Sequence, residues 1–271
     1  MMVHSSMPAT HAQEPEEFLA DLRRATVRWR QQEQARPRVT SGVPEVDRLL
    51  GGGWPQGKVG ELLGPVSSGR TGIAMTTVAA ATRRGEVTAW VDPADAFDPA
   101  SAAAAGVVLS RVLWVRPQAL EDGVRAAELV LAAGGFTVLV LDAAGERLCL
   151  PEPAAGGAGD SSPWGRRRRP RRDSLRLRFV RVVEQAGAAA LVLAPRPWVG
   201  TWAGVTVLLQ PGRPCWQQGA AAGPRWLAKV ALAARLERGG AARVGDRAAP
   251  VLAAPPLPGA AAAGIGEGPC A

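Results

Sequence analysis

Apolar positions along this chain recur in two rhythms, one helical and one strand-like, and these divide it into elements. Between Glu16 and Gln34, Phe18, Leu19, Leu22, Ala25 and Trp29 fall near helical spacing and predict a short amphipathic helix. A Pro-containing linker (Ala35–Val46) leads to Val46–Leu50. The run GGGWPQG then marks a turn before the apolar strand Val59–Leu63. From there β-rich runs alternate with helical ones: Thr71–Thr82 helix, Val87–Val91 strand, Pro99–Ala105 helix, Val112–Val115 strand, Leu120–Ala133 helix and Phe136–Leu141 strand. Such alternation predicts an α/β fold whose twisted central sheet is mostly parallel and flanked by helices.

The pattern then lapses. Ala143 to Asp173 is Gly- and Pro-rich and ends in RRRRPRR, longer than loops of compact domains usually run, so it is expected to be functional or disordered. A helix (Leu175–Ala186) and a buried strand (Ala189–Leu193) follow, and Val205–Leu209 and Lys229–Leu236 are candidate strands for closing the sheet edge. From Gly239 onward an Ala/Gly/Pro-rich composition without periodicity predicts a disordered C-terminal tail. The expected division is therefore residues 1–37 (tail and N-terminal helix), 38–238 (core, with a long basic loop at 143–173) and 239–271 (tail).

Chemistry concentrates after the first buried strand. Gly64-Pro65-Val66-Ser67-Ser68-Gly69-Arg70-Thr71 matches the phosphate-binding pattern G-x-x-x-x-G-K-[ST] at every position except the lysine, and it lies between a strand and a helix as that pattern requires. In such a loop, backbone N–H groups and the helix N-terminus cradle phosphates, the lysine reaches the terminal phosphates, and the hydroxyl residue ligates Mg²⁺. Arg70 keeps the charge but exchanges a compact ammonium for a long planar fork, which is expected to weaken nucleotide binding. The plainer alternative is a Gly/Ser turn with no ligand.

The neighbouring residues carry a specific resemblance. Thr40-Ser41-Gly42, Val46-Asp47, Leu50-Gly51-Gly52-Gly53, Pro55, Gly57, Glu61 and the loop itself, then Val91-Asp92-Pro93-Ala94-Asp95-Ala96-Phe97-Asp98-Pro99 and Val138–Asp142, are similar to the RecA ATPase core over about residues 40–145. The resemblance implies a RecA-like core with ATP and Mg²⁺ as its ligands. Gly64, Ser67, Ser68, Gly69, Arg70, Thr71 and Asp142 are then the nucleotide-binding positions. Within the family, the degenerate loop, short length and Arg/Pro-rich insert most resemble the ImuA group. Those are RecA-related partners of an ImuB polymerase-like protein in error-prone translesion synthesis during the SOS response.

Departures from the RecA pattern set the functional expectation. Where the resemblance places the glutamate that activates water, this chain has Ala94, whose methyl accepts no proton. Asp95, one residue along, is expected to point elsewhere. Where a glutamine would sense the γ-phosphate, the chain reads Ala194-Pro195-Arg196-Pro197. Asp142 remains as a candidate for holding Mg²⁺ through water, although an aspartate closing a strand is also a common turn residue. No catalytic residue, resident metal or required cofactor is expected, with ATP and Mg²⁺ bound weakly at most.

Charge adds a second candidate site. Arg166, Arg167, Arg168, Arg169, Arg171 and Arg172, with Trp164 beside them, lie where the resemblance places the first DNA-binding loop of RecA. Clustered arginines neutralise phosphates independently of sequence, and a tryptophan offers a stacking surface for an unpaired base. A solvated charge run or a site for an acidic protein remains open as an alternative. Trp198-Val199-Gly200-Thr201-Trp202 lies where the second DNA loop would fall but carries no basic residue, so sheet-capping or a partner contact is the expectation. The formal charge of +8 favours an anionic partner.

Other features narrow the class. No apolar run reaches the roughly 20 residues of a membrane span, and the N-terminal sequence lacks the order of a secretion signal. A cytoplasmic, nucleoid-associated protein without membrane contact is expected. Cys149, Cys215 and Cys270 fit neither a disulfide framework nor a zinc site and are expected to be free thiols. The leading expectation is a non-catalytic adaptor that binds an ImuB-like factor, RecA and single-stranded DNA, with self-association through the N-terminal helix as a further option. That helix folding back on its own core is the equal alternative. A DNA-dependent ATPase and a RecA-like inhibitor of cell division are the competing classes.

Overall fold

The computed structural model describes residues 15–144, 170–218, 225–239 and 243–253. It forms two compact units, Met1–Arg36 and Pro37–Ala271. The first contributes one helix, α1 (Pro15–Ala35), on which Leu19, Leu22 and Val27 are exposed.

The second unit opens with β1 (Arg38–Val39), α2 (Pro44–Leu50) and β2 (Trp54–Pro55), with β1 and β2 paired as a small antiparallel ribbon. Then come β3 (Val59–Leu63), α3 (Arg70–Arg83), β4 (Val87–Val91), α4 (Pro99–Ala104), β5 (Val112–Val115), α5 (Leu120–Ala133) and β6 (Phe136–Asp142). Further along the chain follow α6 (Pro170–Ala186), β7 (Ala189–Ala194), β8 (Val205–Gln218), β9 (Arg225–Arg238), β10 (Arg247–Ala248) and β11 (Val251–Ala253). The main sheet runs in the order β10-β9-β8-β3-β7-β6-β4-β5, with β11 also on β9. Every pairing from β8 to β5 is parallel, and those of β9 with β8, β10 and β11 are antiparallel. The expected mostly parallel α/β sheet is the observed one.

Period-two alternation fills both faces of the sheet. Val138 and Val140 of β6 and Ala189, Leu191 and Leu193 of β7 join the core beneath α2 and α3. Leu139, Leu141, Ala190, Val192 and Ala194 join the core beneath α5 and α6. Strands apolar on both faces are stable only when layered between helices, which explains their uninterrupted hydrophobic sequence. Gly60, inside fully buried β3, leaves space for the Trp54 indole: a Cβ there would stand 2.6 Å from its Cε3. Trp54 Nε1 donates to Thr77 Oγ1 at 3.2 Å, satisfying its buried polar atom.

The motif that opens the core is largely a folding device. Asp47 accepts from the Ser41 N–H at 2.7 Å and from the Thr40 hydroxyl, tying the segment before α2 to the helix. Asp98 caps α4, accepting from the Ser101 N–H at 2.8 Å with Pro99 next in the chain.

The C-terminal part corrects three expectations. β8 and β9 reach 14 residues each, forming a ribbon well beyond the short edge strands read from sequence. Pro211 and Gly212 do not end β8, because a register shift between Gln210 and Arg213 places them in a bulge. The tail expected to be disordered from Gly239 contributes β10 and β11, which pair with β9. Finally, Cys215 is disulfide-bonded rather than a free thiol, since spacing along the chain does not report proximity across a fold. Among the described residues, no helix is long and apolar enough to cross a membrane.

Candidate phosphate-binding site

β3 delivers the chain into Gly64 at the C-terminal edge of the sheet, where the loop must reverse to start α3. Gly64 and Gly69 take positive φ values (147° and 87°), and Ser67 follows at 63°. Gly69 caps α3 in the left-handed region without a side-chain acceptor, so the first N–H groups of the helix remain available to an anion. The backbone thus has the positive-φ glycines and uncapped helix start expected of a phosphate cradle. Ser68 is buried, and its hydroxyl has no hydrogen-bond partner among the described residues. Thr71 is half-buried, Ser67 is exposed, and Arg70 is buried at 8% exposure.

Asp142 ends β6, two strands from β3, and is 3% exposed. Its Oδ1 accepts the Ala144 N–H at 2.9 Å. Burial pushes its carboxyl above the ordinary carboxylate range and the charge of Asp92 adds to this, while the Ala144 N–H and the charge of Arg70 oppose it. Arg70 therefore acts electrostatically on the carboxylate of the opposite strand end.

Asp92, fully buried at the end of β4, accepts from the N–H groups of Ala96 (3.0 Å) and Phe97 (2.8 Å) and from Trp114 Nε1 (3.3 Å). It shapes the turn that carries Ala94. Asp95 (φ 53°) binds Arg116 through two hydrogen bonds of 2.7 and 2.6 Å, and Arg116 lies 4.8 Å from the Trp114 ring centroid. The Arg116 hydrogen bonds hold the Asp95 carboxyl below its usual range, which makes it a poorer base.

One residue quoted only as a motif match proves to organise the neighbouring segment. Glu61, fully buried in β3, accepts from the N–H groups of Trp198 (2.7 Å), Val199 (2.5 Å) and Gly200 (3.4 Å), while the Thr206 hydroxyl donates to its other oxygen at 3.4 Å. The connection from β7 to β8 is fixed by that carboxylate. The signal was present as one acid inside the apolar run VGELL. Trp198 packs edge-on against Phe179 of α6 at 5.8 Å, with the Arg176 guanidinium 5.8 Å from its centroid, whereas Trp202 is exposed.

The second predicted site is only partly placed. Trp164 and Arg166–Arg169 lie outside the described residues. Arg171 and Arg172 fall in the first turn of α6, which begins at Pro170 rather than at Leu175 as the sequence pattern suggested.

A cleft of about 410 Å³ adjoins the loop, lined on one side by residues 66–71 and on the other by Leu227, Val230, Leu232, Leu252 and Ala253. For ATP with Mg²⁺ the cradle backbone, the Thr71 hydroxyl and the Asp142 carboxylate are suitable donors. These residues would hold the phosphates and ion, which would supply charge for phosphoryl chemistry. Where the RecA resemblance places the water-activating glutamate and the γ-phosphate-sensing glutamine, this chain carries Ala94 and the stretch Ala194–Pro197.

Phosphate loop, buried parallel strands and a carboxylate closing the second strand over define a P-loop α/β protein. Its relatives are specific. The RecA N-terminal domain family matches residues 24–191, more than half of the chain, and the chain belongs to that family. It is 36% identical over 124 residues to Protein RecA of Lactobacillus johnsonii, covering 45% of this chain and 34% of that protein. Identity to Protein RecA of Lactococcus lactis subsp. cremoris is 37% over 125 residues, covering 46% of this chain and 32% of that protein. The match therefore spans about a third of those relatives' length. The fold is also that of the RadB recombinase, with a TM-score of 0.54 at 18% identity, covering 78% of this chain and 94% of that one.

Proposed function

We propose that this chain is a non-hydrolysing RecA-family protein that serves as an adaptor in the bacterial DNA-damage response. The observation that carries this reading is a selective loss around a preserved loop. The cradle keeps its positive-φ glycines and an open helix N-terminus. Asp95, the acid next to Ala94 and a candidate replacement for the missing base, is instead held by Arg116 on the surface. A turnover-competent site needs a base within reach of the attacking water, and a carboxylate paired twice to a guanidinium does not supply one.

What is left is a folded scaffold with basic and aromatic surfaces. Its degenerate loop and arginine-rich insert favour the ImuA type of adaptor, binding an ImuB-like factor and RecA. Single-stranded DNA is a further ligand, held through the arginine run. Nucleotide, where bound, is structural and weak. Capture of purified ImuB-type and RecA proteins from the same organism by the tagged full chain tests the adaptor role. Retention of either protein at physiological salt supports it, and retention of neither removes it.

A further inference from the structure

The cleft beside the phosphate loop has two chemically different walls. On one side, residues 66–71 bring the hydroxyl residues Ser67, Ser68 and Thr71 and the start of α3. Ser68 is 1% exposed, and its hydroxyl has no hydrogen-bond partner among the described residues, so this side holds an unused polar group next to an uncapped helix start. On the other side stand Leu227, Val230, Leu232, Leu252 and Ala253, whose side chains neither donate nor accept a hydrogen bond.

Strand register builds the hydrocarbon wall. Val230 of β9 pairs directly with Leu252 of β11, which puts both side chains on one face of the sheet, and Leu232 follows two residues along the same face. Leu232 reaches Gly69, where a Cβ would overlap its Cδ1, and Leu252 reaches Gly72, where one would stand 2.5 Å from its Cδ1. Hydrocarbon therefore begins where the loop passes into α3. At about 410 Å³ the cleft is large enough for a nucleoside, and a group that extends into it from a loop-held phosphate lies against that wall.

The faces of purines and pyrimidines gain from burial against leucine and valine, but bases are told apart by the donors and acceptors on their edges. These five side chains carry no complement to those edges. A site that hydrogen-bonds a substrate group rejects an analogue lacking it by about 10⁴-fold, whereas apolar contacts separate similar ligands by far less.

We propose that the cleft takes nucleoside triphosphates without reading the hydrogen-bonding edge of the base: the loop holds the phosphates, and the β9–β11 wall receives the base as apolar surface. The proposal rests on the reading that the loop can still hold phosphate, and it adds the class of ligand. Leu227, Val230 and Leu252 then set how tightly a nucleoside is held and leave its identity open.

Calorimetric titration of the full-length protein with ATP, GTP, CTP, UTP and inorganic tripolyphosphate, each with Mg²⁺, reads the two walls separately. ATP and GTP are expected to agree within about threefold, and both to bind about tenfold tighter than tripolyphosphate, because only they bury a base. Leu227→Ala and Val230→Ala should each weaken ATP and GTP equally, by about threefold, and leave tripolyphosphate unchanged, which also shows that the variants are folded. A preference of more than about tenfold between ATP and GTP overturns the proposal. So do nucleotides that bind no tighter than tripolyphosphate, or variants that lose tripolyphosphate as much as ATP. Absence of binding by tripolyphosphate and by every nucleotide removes the phosphate-holding loop itself, so the two failures are distinguishable.

Discussion

Truncating Glu61 is the most direct perturbation of the scaffold around the site. Its carboxylate is fully buried and accepts the N–H groups of Trp198 and Val199 at 2.7 and 2.5 Å. A hydrogen bond to a charged acceptor contributes about 1.5–3 kcal/mol, and a buried donor left without an acceptor costs about 1–3 kcal/mol. Glu61→Ala strands both donors and leaves a void, so about 3–5 kcal/mol of stability should be lost, a large share of a typical domain's total. Glu61→Gln keeps one carbonyl oxygen and should lose roughly half as much or less. Urea unfolding followed by tryptophan fluorescence reads the difference, with a midpoint shift of about 1–2 M for the alanine variant. Trp198 emission should report exposure of its segment first. A loss below about 1 kcal/mol for Glu61→Ala, or equal losses in both variants, would refute the anchoring role.

Other expectations concern the same core. Burial raises the Asp142 carboxyl, so the folded state is progressively penalised as pH rises from the ordinary carboxylate range through that raised value. Asp142→Asn removes the penalty, and thermal unfolding should show it more stable than wild type at neutral pH, with the gap closing in acid; a gap independent of pH contradicts the assignment. Gly60→Ala forces a methyl into the Trp54 ring at 2.6 Å and should cost about 1–3 kcal/mol in chemical denaturation, whereas a neutral result would mean the indole relocates freely. Alanine at Arg166–Arg169, Arg171 and Arg172 should weaken single-stranded DNA binding and flatten the slope of log affinity against log salt by up to about 4, at about 0.7 per phosphate. An unchanged slope in a fluorescence titration removes the arginine run from the interface.

The parallel core was legible because its strands are buried on both faces, and a run such as Val138–Leu141 or Ala189–Leu193 has few other stable placements. The phosphate loop was legible for a different reason: its glycines stand at a fixed spacing between a strand and a helix. What escaped depends on contacts distant in sequence. Pro211 and Gly212 look like strand breakers until the register shift between Gln210 and Arg213 absorbs them, and Pro214 keeps its place opposite Val230. β11 is invisible in an Ala- and Pro-rich tail because three residues acquire strand geometry only from β9. Glu61 carried a recognisable signal, an acid in a buried strand, but its partners lie about 137 positions downstream and no local pattern names them. The apolar wall of the loop escaped for the same reason, since Leu232 and Leu252 meet Gly69 and Gly72 only once the sheet is assembled.

Phosphate release from ATP and Mg²⁺ by the full-length protein, measured with and without single-stranded DNA beside an Asp142→Ala control, tests the proposed loss of hydrolysis directly. Release is expected at the background rate in every condition, unchanged by DNA and by the substitution. DNA-stimulated turnover that disappears in Asp142→Ala would contradict the non-hydrolysing scaffold and restore a working ATPase in its place.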